Sequence, residues 1–397
     1  MMIDLSVIIV NYKVKHYLLQ CIDSVIKASN GLNVEIIVVD NNSRDGSIDY
    51  LCAFYPDVIF IENHINIGFA KANNQGLNQS RGRYVLLLNP DTVLSETTLS
   101  DCLRFMDGND DAGALGVKML KCNGTFAFES RRGIPTPFVA FCKMSGLNTI
   151  FPKNRIFGRY YMRYLDVNSV EKIEVVSGAF MFIRRCALDK SGFLDEDFFM
   201  YGEDIDLSYR LLKTGMHNYY IPNSILHYKG ESTQKNTYRY VYNFYNAMLV
   251  FMRKHFSDYQ FFVTFPIKTA IYVKASMEYL GKRLRRCLSN KRMENLDFMR
   301  QFKYLFIGVQ VNIAKVEIIM NKVGLKMKTI RIDERLMKYG HTSVDNYWQY
   351  DYIVYDVSLF SYSTIFCFFE CAKIHSPKMA FFHPDKNMIV TDNYVFL

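Results

Sequence analysis

Two α/β units joined by a helical segment are predicted for this chain, and three observations predict them. Apolar runs of strand length alternate with helix-period stretches over the first 125 residues. The same alternation restarts near residue 301. Between them, from 236 to 300, the strand-length runs give way to a helical, aromatic-rich and basic stretch. Continuous Val/Ile/Leu runs separated by helices are what a parallel sheet covered on both faces requires, because neither face of such a strand meets water.

In the first unit the strands are "LSVIIVNY" (5 to 12), "VEIIVVDN" (34 to 41), "VIFIEN" (58 to 63) and "YVLLLN" (84 to 89). Helical patterns near 15 to 28, 46 to 54, 69 to 79 and 96 to 106 follow them in turn. From about 126 to 230 loops lengthen and aromatics increase. This part contains "VVSGAFMFIRRCAL" (175 to 188) and "FMYGEDIDLSYRLLKTG" (199 to 215), the latter a helix opened by Gly202 and closed by Gly215. In the last unit "YLFIG" (304 to 308), "MKTIRI" (327 to 332), "YDYIVYD" (350 to 356) and "KMAFF" (378 to 382) read as strands, with helices near 312 to 323 and ending about Cys371. Only Gly308 occupies its first strand-to-helix turn. The G-x-G-x-x-G pyrophosphate fingerprint is missing, so a regulatory or assembly role is expected there rather than tight dinucleotide binding.

Composition narrows the function classes. Half the residues are apolar and 15% aromatic, as in a folded protein of two or three domains. Nine cysteines are scattered without a C-x-x-C pair or zinc-ligand spacing, which argues against a disulfide framework and for a reducing compartment. Asp4 stands where a signal peptide would be basic, so a cytoplasmic protein is expected. Of the net charge of +9, a surplus of +8 lies between residues 231 and 300, from thirteen Lys/Arg against five Asp/Glu. Its densest run, "GKRLRRCLSNKR" (281 to 292), has Met277, Leu280, Leu284 and Leu288 at helical spacing. That pattern suits either a helix on an anionic membrane surface or a solvated helix packed on the protein's own core. No nucleic-acid partner is expected.

Several polar residues interrupt this apolar framework where an open sheet binds ligands. Pro90 cannot donate a ladder hydrogen bond, so the fourth strand ends at Asn89-Pro90-Asp91 and puts a carboxylate at its carboxyl end. Those three residues leave open both an ordinary turn and a site holding a hard cation beside phosphate oxygens. Asp40 ends the second strand before "NNSRDGS", where an acid can bond a ribose or base. In "NINIGFAKANNQGLNQS", Gly68 and Gly76 permit close backbone approach, and Asn66, Asn73 and Asn74 supply neutral donors. Glu203, Asp204 and Asp206 fall in the first turn of one helix, where its dipole favours acids whatever their role. Glu203 and Asp204 point about 100° apart and need not share one task. His227, in "ILHYKGEST", is a metal ligand only if it converges with Asp91.

Taken in order, "VIIVNY", "VVDNNSRDGS", "NIGFAKANNQG", "LLLNPDT", "SGAFMFIRR", "GFLDEDFFMYGEDIDLSYR" and "LHYKGES" resemble the family two inverting nucleotide-sugar glycosyltransferases, in particular their rhamnosyltransferase-like branch. The resemblance covers about residues 3 to 235. It implies an α/β GT-A fold with a Rossmann-like mixed sheet at 1–235; the sequence pattern itself adds a helical connector at 236–300, with a possible membrane-surface contact, and a small Rossmann-like domain at 301–397. On this likeness Asn11, Tyr12 and Asp40 cradle the nucleotide, and Asn66, Gly68 and Asn73 line the donor loop. Asp91 corresponds to the last acid of the D-x-D metal motif, whose first acid is replaced by Asn89. Asp204 matches the general base, Glu203 its companion and His227 the later metal-binding histidine, while Gly178 and Ala179 lie beneath the acceptor. The implied cofactor is a divalent metal, Mg or Mn. The implied partners are a nucleotide-diphosphate sugar and a lipid-linked saccharide acceptor at the inner face of the cell membrane, in cell-envelope polysaccharide synthesis.

The last domain is similar to the nucleotide-binding-fold module found beside bacterial sugar-transfer enzymes, and a homo-oligomer through it is a further expectation. Two other functions compete. A sugar nucleotidyltransferase needs a basic glycine-rich loop after the first strand, where this chain has "NYKVKHYL". A non-catalytic binding module draws its support from Asn89, and the joint presence of Asp91, Asp204 and His227 opposes it.

Overall fold

The computed structural model describes residues 2–228, 238–257 and 299–397. The basic run at 281 to 292 and the residues after Tyr228 in "LHYKGES" lie outside the described residues.

The first strands form where the apolar runs predict them: β1 (Leu5–Asn11), β2 (Val34–Asp40), β3 (Ile59–Glu62) and β4 (Tyr84–Leu88). All residues of β1 and β4 are buried. Helices α1 (Lys15–Ala28), α2 (Ser47–Phe54), α3 (Phe69–Gln79) and α4 (Thr98–Gly108) intervene. In α1, Leu18, Leu19, Ile22 and Val25 are buried on the core side, so the helix is held by its apolar face rather than by a side-chain cap.

Beyond β4 the sheet stops being parallel. Strands β5 (Thr92–Leu94), β6 (Ala112–Leu120), β8 (Glu171–Ile173), β10 (Phe180–Arg184) and β11 (His217–His227) complete a nine-stranded sheet in the order β3-β2-β1-β4-β10-β6-β11-β5, with β8 on β11. Strand β10 runs antiparallel to β4 and β6, and β5 runs antiparallel to β11. This mixed α/β sheet agrees with the Rossmann-like mixed sheet expected for the first domain. A separate pair, β7 (Arg131–Arg132) with β9 (Val175–Val176), lies beside it.

Helices α5 (Pro137–Met144), α6 (Leu147–Ile150), α7 (Arg185–Ser191) and α8 (Glu203–Lys213) belong to the later half of this domain. Helix α9 (Tyr238–His255) packs onto it, with Ala247, Val250 and Phe251 against Phe198, Ile205 and Tyr209. Its end is pinned by Asp206, a fully buried carboxylate that meets His255 Nε2 at 2.6 Å, Lys254 Nζ at 2.9 Å and Arg210 Nε at 2.7 Å. The start of the connecting segment therefore packs on the protein's own core.

The last domain has a six-stranded sheet in the order β13-β12-β14-β15-β16-β17. Its strands are β12 (Tyr304–Gly308), β13 (Met327–Arg331), β14 (Tyr352–Asp356), β15 (Lys378–His383), β16 (Met388–Val390) and β17 (Val395–Phe396). The first four are parallel and β16 and β17 turn back. At the crevice between the ends of β12 and β14, buried Asp356 accepts from Asn312 Nδ2 (2.7 Å) and Ser358 Oγ (2.6 Å), so its carboxylate is occupied by the domain's own side chains.

One apolar cluster runs through both domains, from Leu18 and Ile22 to Tyr362 and Phe366. Polar contacts fix how they meet. Glu96 accepts from the backbone N–H of Tyr362 (2.7 Å) and Ser363 (3.0 Å) at the amino end of the helix Tyr362–Glu370, where the helix dipole favours an anion. Lys386 Nζ reaches Asp23 Oδ2 (2.6 Å), and Tyr17 donates to the carbonyl of Thr391 (3.0 Å).

Candidate active site

The carboxyl ends of β2, β1 and β4 lie side by side, because β1 pairs with both neighbours in parallel. Asn11 and Asp40 are register partners there, and Asn11 Nδ2 donates to Asp40 Oδ1 at 2.6 Å. Ser43 joins them, its N–H on Asp40 Oδ2 (2.9 Å) and its hydroxyl accepting from Asn11 Nδ2 (3.1 Å) and the Lys13 N–H (2.9 Å). Tyr12 follows β1 at the same edge, half-buried.

The loop before α3 is tied to this edge by Asn41, which donates to Asn66 Oδ1 (3.0 Å) and the Gly68 carbonyl (3.2 Å) and accepts from the Ile67 N–H (3.0 Å). Gly68 has φ 91°, and a Cβ there would lie 2.8 Å from the Phe199 carbonyl oxygen. No larger residue fits that approach. Asn73 is buried and bonds back to the Phe69 carbonyl at 2.9 Å, within its own helix, so its amide is not turned to the donor loop. The neighbouring Asn74 makes the bridge instead, to the Leu194 carbonyl (2.9 Å) and Glu196 (3.0 Å).

Asp91 and His227 meet because β5 and β11 pair: Thr92 is the register partner of His227, and the Tyr228 N–H donates to the Asp91 carbonyl at 3.0 Å. His227 Nε2 lies 3.4 Å from Asp91 Oδ1 and 3.4 Å from Asn89 Nδ2. Both ligand-type side chains are largely buried. Behind them Tyr228 donates to Gln20 Oε1 (2.9 Å) and stacks edge-on against Tyr17.

The residues fit a hard divalent cation in one specific way. Adjacent ligands of an octahedron with bonds near 2.1 Å sit about 3.0 Å apart, close to the Asp91–His227 separation. Among the described residues no group of three His, Cys, Asp or Glu side chains could hold a metal. A cation bound by these two side chains alone would have to take further ligands from a nucleotide's phosphate oxygens or from water.

The paired acids of the sequence lie at the start of α8. Tyr201 (φ 70°) and Gly202 (φ 86°) take left-handed conformations in succession and turn the chain into that helix. Asp204 Oδ2 accepts from the Gly178 N–H at 2.9 Å and from Arg132 Nη2 in a close ion pair. Gly178 is needed small here, since a Cβ would come within 3.2 Å of the Asp204 Cβ. One residue on, the Ala179 carbonyl accepts from the Asn89 N–H at 3.0 Å. The two-residue stretch Gly178–Ala179 thus joins the Asp204 end of the site to the Asn89-Pro90-Asp91 end.

Electrostatics separate the two adjacent acids. Burial, then the charge of Asp204, push the Glu203 carboxyl up to about 8, so it carries its proton at neutral pH. Burial opposes the charge on Arg132, but the field and hydrogen bond of Asp204 raise its pKa overall. Glu203 binds a proton in the folded state that the unfolded chain releases above about 4.5. Stability is therefore expected to fall as pH rises from about 4.5 through about 8, by up to a few kcal/mol. Denaturant midpoints at pH 5.5 and 8.5 should differ more for the wild type than for Glu203→Gln, which has no proton to lose.

Arg132, Asn41 and Ser43 were not singled out by the sequence. For Arg132 the one available signal is "SRRG" (130 to 133) in an acid-free stretch; the polar turn "NNS" (41 to 43) is the signal for the next two.

Residues 6–192 match the sequence profile of the family described as glycosyl transferase family 2. These residues carry that family's domain, a little under half of the chain. The family 2 domain is similar to an N-acetylglucosaminyl-diphospho-decaprenol L-rhamnosyltransferase of Mycobacterium tuberculosis, with 26% identity over 238 residues, or 57% of this chain and 76% of that protein. It is also similar to the rhamnosyltransferase WbbL of Escherichia coli, with 24% identity over 195 residues, or 47% of this chain and 69% of that protein. Among solved structures, a mannosyltransferase of Pyrobaculum calidifontis aligns with 14% identity and a TM-score of 0.44, covering 73% of this chain and 77% of that one.

Proposed function

We propose that the protein transfers a sugar from a nucleoside-diphosphate donor to a hydroxyl of a lipid-linked or oligosaccharide acceptor, with inversion, in cell-surface polysaccharide synthesis. The observation that supports this reading is the Gly178–Ala179 bridge: the Gly178 N–H donates to Asp204, and the Ala179 carbonyl accepts from the N–H of Asn89, two residues before Asp91. A carboxylate at one end and a diphosphate-binding end at the other is what a single displacement at an anomeric carbon needs.

In the reaction, Asp204 takes the proton of the acceptor hydroxyl as that oxygen forms its bond to the anomeric carbon. The bond from that carbon to the diphosphate oxygen breaks, and the nucleoside diphosphate leaves with the electron pair. Attack opposite the leaving group inverts the configuration, and no covalent intermediate with the protein forms. Arg132 and the Gly178 N–H orient the base. Asn11, Tyr12 and Asp40 hold the nucleotide, while Asn66 and Gly68 shape the donor loop around it. Asp91 and His227 would hold Mg²⁺ or Mn²⁺, which neutralises charge on the departing diphosphate when bound. Glu203, protonated, stays out of the proton transfer and leaves Asp204 as the acceptor of the hydroxyl proton.

Rhamnose carried on thymidine diphosphate is the first donor to test, because the mycobacterial and Escherichia coli relatives are named as rhamnosyltransferases. The decaprenol-linked acceptor in the first of those names supports a lipid-diphosphate acceptor, at the cytoplasmic face of the membrane. A panel of nucleotide sugars incubated with a lipid-diphosphate saccharide should give product from thymidine-diphosphate rhamnose, with release of nucleoside diphosphate and an inverted anomeric centre by NMR. Pyrophosphate release from a nucleoside triphosphate and a sugar phosphate would replace this reading with nucleotidyl transfer.

A further inference from the structure

A second surface lies six residues from Arg132. Between residues 131 and 165 the chain has seven Lys/Arg and no Asp or Glu. Within it Phe138, Phe141, Met144, Ile150, Phe151 and Ile156 are all between 43% and 66% exposed. They form one patch rather than scattered side chains. The Phe157 ring lies 6.4 Å from Phe138 and 5.7 Å from Phe151, linking α5 to the turn after α6.

The patch stands on firm structure. Helix α5 buries Val139, Ala140 and Cys142 on its other side, Ala140 against Met252 of α9, and Thr136 caps its amino end. Phe138 and Phe141, three residues apart, share the outward face. Exposed Lys153, Arg155 and Arg163 lie among or beside the apolar groups. Contiguous exposed aromatic surface marks an interaction site, and although Glu174, from outside the stretch, pairs with Arg159, the exposed Lys153, Arg155 and Arg163 give the face a positive balance that favours an anionic partner.

We propose that residues 137–157 form a docking face for an anionic lipid bilayer, seating the enzyme with its base close to the membrane. A second copy of the chain is disfavoured as the occupant because it would present the same sign of charge. The chain's own basic run at 281 to 292 has that sign too. From Arg132, which pairs with Asp204, to Phe138 the chain spans at most about 20 Å when extended. An acceptor hydroxyl on a lipid-diphosphate carrier is thereby offered within reach of the site. That last consequence rests on the proposed sugar transfer; the docking itself does not.

Vesicle flotation tests the proposal with the full chain. Wild-type protein should float with phosphatidylcholine vesicles containing phosphatidylglycerol, bind pure phosphatidylcholine at least tenfold more weakly, and be released by salt. Phe138→Ser/Phe141→Ser/Phe151→Ser, and separately Lys153→Glu/Arg155→Glu, should each lower partition at least tenfold. All five side chains are exposed, so the thermal midpoint and turnover on a short water-soluble acceptor should stay at the wild-type level. Unchanged partition in the triple variant overturns the proposal, as does equal binding to neutral vesicles. Loss of a wild-type dimer in that variant, without any vesicle binding, would make the face an interface between copies and overturn it as well. Flotation without sugar transfer from any donor would leave docking standing and remove the proposed function.

Discussion

Asp204→Asn is expected to lower kcat by about 10²–10⁴-fold while donor affinity changes by no more than about threefold. The amide has the shape of the carboxylate and keeps an oxygen for the Gly178 N–H, so the cleft retains its form. What it loses is the ability to take the acceptor proton. It also leaves the guanidinium of Arg132 without its anion, and a largely buried charge deprived of its partner costs about 3–5 kcal/mol. The double variant Asp204→Asn/Arg132→Gln removes that second effect. Stability should return in the double variant while turnover stays lost, which separates chemistry from folding. Unchanged turnover in the single variant would exclude Asp204 as the base. The pH profile supplies an independent check. Were Glu203 the base, turnover would rise with pH through about 8 as its proton is released, and a profile without that rise excludes Glu203.

Removing either side chain of the Asp91–His227 pair should be nearly as damaging. For Asp91→Asn or His227→Ala the loss in turnover is expected to be on the order of 10²–10³-fold, the range seen when charge stabilisation on a developing anion is removed. Because both residues serve one bound group, the double variant should be little worse than either single one. Calorimetric titration of Mn²⁺ in the presence of a nucleoside diphosphate should show affinity weakened in both variants. Asn89→Asp should act in the opposite direction, since it adds a second carboxylate 3.4 Å from the histidine nitrogen. Equal metal affinity in wild type and Asp91→Asn would show that the pair does not hold the ion.

Much of the framework was legible because burial leaves a local record. The ends of β1, β2 and β4 fall within about a residue of the apolar runs that predict them, and Pro90 marks where β4 stops. The later strands were harder. Strand β11 mixes polar and apolar positions and shifts register at two places along β6, so no clean period announces it. Strands β16 and β17 are three and two residues long, too short to show any. The membrane expectation shows the same limit. Charge counting drew attention to 281 to 292, whereas the exposed phenylalanines of α5 look, in sequence, like one more piece of core.

By itself the sequence determined the first four strands with their helices, the parallel strands of the last sheet, and which edge of the first sheet carries polar groups, because helix and strand periods depend on neighbours a few residues away. Only the tertiary structure decided which side chains meet. Asn89 and His227 are 138 residues apart, and Arg132 and Asp204 are 72 apart. Each pair is brought together by strand register, β5 on β11 in one case and β7 on β9 beside α8 in the other. Register is fixed by how whole faces bury against one another, and a one-residue slip would turn His227 away from Asp91.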